Sequence, residues 1–290
     1  MHPNLVILAG GISSRMKEQP AGTVAVDPTL AREAEFKSKA MLGVGGGSRP
    51  FLDYLFYNIS DAGYRNVVIV VSDRDTSIRD YYERDGANRQ FGQLNISYAV
   101  QPIPAARTKP LGTTDALFRA LQAFPSWKGQ SFTVCNSDNL YSRKALRLLL
   151  EDRHANSLID YDRAALQFDH DRIAQFALIR KDADGFLEDI VEKPSPEEIG
   201  SVAEATGRIG VSMNIFRFSY DGILPYLESV PVHPVRQEKE LPLAVKMMTA
   251  DHPRSVFTIP LSEHVIDLTS QSDIPAVQAY LAKEFPDFLT

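Results

Sequence analysis

The chain is poor in the residues that mark several protein classes. One of its 290 residues is a cysteine, Cys135, which excludes an internal disulfide framework and a cysteine-cluster metal site. The six histidines show no close metal-ligand spacing. No apolar run approaches the roughly twenty residues of a membrane span, and the start lacks a charged-then-apolar leader. Acidic residues outnumber basic ones, and a net charge of −6 argues against a nucleic-acid partner. No Gly/Ser-rich linker, internal repeat or low-complexity tract divides the chain. The expectation is a cytoplasmic protein with no membrane or nucleic-acid partner, folded as one domain over residues 1–290; a homo-oligomer stays open.

What is present begins with "NLVILAGGISSRMK", Asn4 to Lys17. Leu5 to Leu8 form an apolar run bounded by turn residues, the pattern of a strand buried on both faces. Gly10 and Gly11 allow backbone angles closed to other residues and let another group approach the main chain. Ser13 and Ser14 supply hydroxyls, and Arg15 supplies a rigid fork of donors suited to phosphate oxygens. The adjacent glycines fit neither the Gly-x-Gly-x-x-Gly dinucleotide fingerprint nor a P-loop, where Gly-Lys would replace Arg15-Met16. The segment reads as a phosphate-holding loop of another kind, or as an ordinary strand-to-helix turn.

Further along, strands and helices alternate. A helix runs from Phe51 to Ala62, with Pro50 in its first turn and Gly63 at its end. "NVVIVVSD", "NISYAVQ" and "SFTVCNSD" read as strands, the last burying Cys135. "TSIRDYYERDG", "GTTDALFRALQAF" and "RKALRLLLEDRHA" read as helices. This order predicts an α/β fold: a mostly parallel, Rossmann-like sheet with helices on both faces. Ligands in such sheets bind beyond the carboxyl ends of the strands, where Gly10, Asp73, Gln101 and Asp138 all fall.

The second half changes style and is richer in β-structure. A hairpin turns at Asp184-Gly185, "GRIGVSMNIFRF" reads as one long strand, and two amphipathic helices follow. The stretch from Lys17 to Lys37 is polar, with a short helix near Thr29 to Glu35. It reads as a mobile lid over the phosphate site, or as a loose surface insertion.

These segments carry a resemblance. "LAGGISSRM", "SKAMLGVGGGSRPFLDY", "QPIPAARTKPLGTTDAL", "NSDNL", "VEKP", "GVSMNIF" and "HVIDLTSQSDI" occur in the order found in sugar-1-phosphate nucleotidyltransferases. The likeness covers nearly the whole chain; "GGISSRM" also resembles the molybdopterin-type nucleotidyltransferases of the same fold. It implies a nucleotide-binding half over about 1–155 and a sugar-phosphate-binding half over 156–290. It implies transfer of a nucleotidyl group from a nucleoside triphosphate to a sugar 1-phosphate, with magnesium and release of pyrophosphate. Transfer to another phosphomonoester such as phosphocholine, or a non-catalytic nucleotide- or sugar-phosphate-binding protein, are the competing readings.

The resemblance also assigns residues. Ala9, Gly10, Gly11, Ser14 and Arg15 would hold the triphosphate, with Lys39 against its phosphates and Lys17 as the rival lysine. Arg15, Lys39 and Asp138 would carry catalysis, and Asp138 and Asp267 would hold magnesium. Gln101 would read the base, offering a donor and an acceptor together, beside Gly112 and Thr113. Glu192, Lys193 and Asn214 would meet the sugar phosphate. Three replacements depart from the family pattern: Ser13-Ser14 in the loop, Ser137 before Asp138, and Thr269 after "IDL".

Overall fold

The computed structural model describes residues 2–17, 27–84 and 86–289. Twelve strands occur among them, in chain order β1 (Asn4–Ala9), β2 (Asn66–Ser72), β3 (Asn95–Gln101), β4 (Ser131–Asn136), β5 (Asn139–Leu140), β6 (Ser157–Asp162), β7 (Ala177–Lys181), β8 (Leu187–Val191), β9 (Gly210–Ser212), β10 (Ile215–Ser219), β11 (Phe257–Leu261) and β12 (Ile266–Asp267). Ten form one sheet in the order β3-β2-β1-β4-β10-β6-β9-β7-β8, with β11 on the other edge of β6. The strands β3, β2, β1 and β4 are mutually parallel, whereas β10 runs antiparallel to both β4 and β6. The sheet is thus an α/β architecture whose four-stranded parallel part belongs to the first half of the chain, while β6 and β11 form a further parallel pair in the second.

The reason for two covered faces is legible in β1. Leu5, Ile7 and Ala9 enter one core, and Val6 and Leu8 enter the other. Side chains alternate across a strand, so an unbroken apolar run needs helices on both sides. Phe51–Ala62, Arg143–Glu151 and Ile274–Glu284 bury residues in the first core; Thr113–Ala123, Tyr220–Ser229 and Leu241–Asp251 bury theirs in the second. Gly63 ends the first of these helices in the left-handed region at φ 106°, where a side chain would be strained. Pro50 is its cap rather than part of its first turn. Cys135 is fully buried in β4, and burial pushes its thiol far up, so it is a packing residue.

Two expectations needed revision. The long strand "GRIGVSMNIFRF" breaks at Met213-Asn214 into β9 and β10. Both run along β6, but the register shifts by two residues across the break: Asp162 faces Gly210 and Tyr161 faces Val211, whereas Leu158 faces Phe216. The break lets the chain exchange its other neighbour, β4 for β10 and β7 for β9. Asn214 takes the left-handed turn at φ 56°, which asparagine tolerates better than most residues.

The second revision concerns the polar stretch. Residues 18–26 of the expected lid lie outside the described residues. The remainder is a helix, Pro28–Phe36, capped by Asp27 through the Thr29 N–H at 2.7 Å. Leu30 and Ala34 are buried in the first core, so part of this stretch is fixed to the body of the protein. "TSIRDYYERDG" is helical but changes pitch, from an α-turn at Ser77–Arg79 to a π-turn at Asp80–Arg84. No helix among the described residues is long and apolar enough to cross a membrane.

Candidate functional site

Beyond the carboxyl ends of β1, β3 and β4 lies a cavity of about 340 Å³. Ala9, Gly10, Gly11, Ser13, Arg15, Lys39, Gln101, Gly112, Thr113 and Asp138 all line it, while Ser14 opens the short helix Ser14–Lys17 beside it. The glycines act differently from the sequence expectation. Neither Gly10 nor Gly11 has a positive φ; the left-handed residue is Ser13, at 55°. A Cβ on Gly10 would stand 2.6 Å from Gln101 Oε1, so this glycine makes room for the glutamine. Gly11 has open space where its Cβ would be, leaving its main chain accessible.

Lys39 begins a tight 3₁₀ turn, and its N–H donates to Ser13 Oγ at 3.2 Å. The far-separated lysine is thereby docked against the glycine loop, and its ammonium pairs with Asp138. Lys17 is exposed and lines neither this cavity nor the next. Asp73 also turns away, accepting from the Ile103 N–H at 3.1 Å.

Gln101 ends β3 and is almost fully buried. Its Nε2 donates to the Gly112 carbonyl and to Asp115 Oδ2, each at 2.9 Å. Both partners accept only, so the amide cannot flip without setting oxygen against oxygen. Its two N–H groups are spent on the protein. The expectation of a paired donor and acceptor therefore fails here, because only Oε1 is left facing the cavity. Gly112 caps the helix Thr113–Ala123 at φ 101°, and a Cβ there would meet the Lys239 carbonyl at 2.6 Å. Thr113 Oγ1 accepts from the Leu241 N–H at 2.9 Å, tying the start of this helix to the second half.

A second cavity, also about 340 Å³, adjoins the first. Arg15, Asn136, Asp138 and Thr269 line both. The remaining lining includes Asn139, Arg172, Gln175, Phe176, Asn214 and Asp267. Asp138 and Asp267 are brought together by a two-stranded ribbon: Asp267 of β12 opposes Asn139 of β5, and the Leu268 N–H donates to the Asp138 carbonyl at 2.8 Å. Burial, and then the charge of Asp138, push the Asp267 carboxyl above its ordinary value. Arg172 and the Thr269 hydroxyl oppose that push, at 2.7 and 2.5 Å. A carboxylate pushed up by burial and by a neighbouring carboxylate suits a cation shared between the two.

Of the three acceptor-side candidates, Asn214 lines the second cavity, whereas Glu192 and Lys193 do not. Both are exposed at the end of β8. The next residue, Pro194, packs in a cleft with Phe176, which does line the cavity. Lys193 itself is held at φ 50°, an unusual angle for a lysine.

Two cations of the site are not among the residues singled out from the sequence, although the first lies inside the segment "QPIPAARTKPLGTTDAL". Lys109 lines the first cavity and pairs with Glu238 at 2.6 Å. Arg172 lines the second on a four-residue helical turn, His170–Ile173, which no motif marks. Among the described residues, no group of three or more His, Cys, Asp or Glu residues could hold a metal.

A parallel sheet with a glycine loop after its first strand, and two adjoining cavities at the strand ends, is the layout of a ligand-binding α/β protein. Residues 34–253 match the nucleotidyl transferase family, and the chain belongs to it. The matched span begins after the glycine loop and ends before Asp267. The bifunctional protein GlmU of Geotalea uraniireducens (strain Rf4) is 26% identical over 188 residues, covering 65% of this chain and 33% of that protein. The glucose-1-phosphate adenylyltransferase of Rhodopseudomonas palustris (strain BisB18) is 21% identical over 225 residues, covering 76% and 49%. The chain thus spans between a third and a half of the length of these curated relatives. A UDP-glucose pyrophosphorylase from Acinetobacter baumanii shares the fold with a TM-score of 0.69 at 16% identity, covering 99% of this chain and 95% of that one. A UDP-glucose pyrophosphorylase complexed with UDP-glucose matches at 0.68 and 18% identity, covering 98% and 100%.

Proposed function

We propose that this protein transfers a nucleotidyl group from a nucleoside triphosphate to a sugar 1-phosphate, with magnesium, releasing pyrophosphate. The observation that carries the reading is the junction of the two cavities at Arg15, Asn136, Asp138 and Thr269. A two-substrate displacement needs two pockets meeting at the reacting phosphorus. The triphosphate would take the first cavity and the sugar phosphate the second.

In the reaction, an oxygen of the acceptor phosphate attacks the α-phosphorus. The bond from that phosphorus to the bridging oxygen breaks, and pyrophosphate leaves opposite the attack. A phosphate monoester has a second pKa of about 6, so the attacking group needs no base at neutral pH. The obstacle is the approach of a dianion to a polyanion, and the residues answer it with charge and position. Gly11 would present its main chain to the phosphates, and Arg15 would neutralise them from the wall both cavities share. Lys39 would exchange Asp138 for a phosphate oxygen. Asp138 and Asp267 would hold magnesium, which when bound neutralises phosphate charge at the junction. Gln101 would accept from the base, and Asn214 would hydrogen-bond the sugar.

The test is pyrophosphate release across a panel of nucleoside triphosphates and phosphomonoesters, phosphocholine included, with and without magnesium. Metal-dependent release with a sugar 1-phosphate is expected. Release only with another phosphomonoester, or none with any pair, would overturn it.

A further inference from the structure

We infer that Arg172 is the acceptor phosphate's own cation, held on Asp267 until a divalent ion takes that carboxylate. The inference rests on reading the second cavity as the acceptor's. Among the described residues lining that cavity, the cationic side chains are Arg15 and Arg172. Arg15 also faces the first cavity, so it is shared with the triphosphate. A phosphate dianion entering beside Asp138 and Asp267 needs a further positive group, and Arg172 is in place to be it.

Its setting is built for that task. The guanidinium lies 4.6 Å from the Phe168 ring centroid, a stacking that fixes its plane. One nitrogen donates to Asp273 Oδ1 at 2.5 Å and another to Asp267 Oδ2 at 2.7 Å. The two carboxylates are not equivalent. Asp273 is locked by its other oxygen, which accepts from the Thr269 and Ser270 N–H groups at 2.9 and 2.7 Å. Asp267 is one of the two carboxylates that suit a cation. An ion bound there competes for the oxygen that Arg172 now holds, and frees one side of the fork. Asp273 and Phe168 keep the rest of the guanidinium aimed along the cavity wall. The freed N–H groups then meet phosphate oxygens in the geometry arginine favours. Metal arrival and acceptor capture are thereby coupled through one side chain.

The coupling is tested with Arg172→Gln and Arg172→Lys in the full chain. Lysine keeps the charge but cannot fork to both carboxylates. Mn²⁺ binding without nucleotide, followed by electron paramagnetic resonance, should tighten about fivefold or more in both variants, because the competitor is lost or loosened. In steady state, KM for glucose 1-phosphate should rise about tenfold or more while KM for the triphosphate changes less than about twofold. Unchanged or weaker Mn²⁺ binding in Arg172→Gln overturns the inference, however brisk the turnover. An unchanged acceptor KM overturns it as well. A wild-type protein that uses no sugar 1-phosphate would sink the proposed function instead, leaving the Mn²⁺ titration to decide what Arg172 does. Thermal melting checks that both variants fold; if Arg172→Gln fails to, Arg172→Lys carries the test.

Discussion

The two cavities are of similar size but are held in shape by different means. The first is set by the scaffold: parallel strands end at it, Gly10 is tailored to Gln101, and Gly112 caps a helix on its rim. The second is set by charge. Beside Asn136 and Ser212 of the main sheet, its walls come from loops, a short ribbon and a helical turn, bound by the ion pairs of Arg172 with Asp267 and Asp273. Backbone hydrogen bonds and packed cores resist small changes, whereas ion pairs exchange partners when a competing ion arrives. In the proposed reaction this contrast would make the first cavity a rigid reader of the nucleotide and the second an adjustable receiver of the acceptor.

The contrast breaks most completely at the shared wall, where Asp138 stands, and at Asp267 beside it. Asp138→Asn and Asp267→Asn should each lower turnover about a hundredfold or more, since an amide is a poor ligand for magnesium and leaves phosphate repulsion unbalanced. Pyrophosphate release measures this, with circular dichroism to show an intact fold. Wild-type turnover in either variant would remove that residue from the proposed metal site.

Arg15 and Lys193 come next, because they separate shared from one-sided contacts. Arg15 lines both cavities, so Arg15→Ala should depress kcat/KM for both substrates by about tenfold or more. Lys193 lines neither cavity but precedes Pro194, which shares a cleft with Phe176 of the second, the proposed acceptor side. Lys193→Ala should therefore lower kcat/KM for the sugar phosphate alone, and by less. Equal losses on both substrates in the lysine variant would refute that assignment.

Gly10→Ala tests the rigid side. The new methyl would lie 2.6 Å from Gln101 Oε1, and displacing a buried, doubly bonded amide should cost about 1–3 kcal/mol of stability. Urea unfolding reads that loss, and KM for the triphosphate should rise while KM for the acceptor holds. Unaltered stability and kinetics would mean that the glutamine moves freely.

The smallest effect is expected at Asp115, which holds the Gln101 amide in one orientation. Asp115→Asn eases the flip, because an amide partner can donate as well as accept, while the Gly112 carbonyl still opposes it. Discrimination between uridine and cytidine triphosphates should then fall about threefold to tenfold, read as a ratio of kcat/KM values. An unchanged ratio would show that the base is chosen elsewhere.

The sequence alone determined the parallel half. The unbroken apolar run of β1 and Gly63 at a helix end are local effects, written in residue type and spacing, as is the hairpin at Asp184-Gly185 in the second half. The strand ends follow from that order, which is why Gly10, Gln101 and Asp138 could be singled out as neighbours, with Arg15 in the loop after β1, whereas Lys39 came from the resemblance. Asp267 was reached only by resemblance, and what joins it to Asp138 is a ladder between segments more than a hundred residues apart. Only the tertiary structure decided the rest. The break at Met213-Asn214 depends on which strands flank β6, Gln101 lost its donors to Gly112 and Asp115, and Asp73 was drawn off by Ile103. Arg172 had no motif to mark it, because its meaning comes from Asp267, Asp273 and Phe168. Backbone preference and apolar period act over a few residues and survive in the sequence. The partner of a charge or an amide is whatever the finished fold brings within about three ångströms of it.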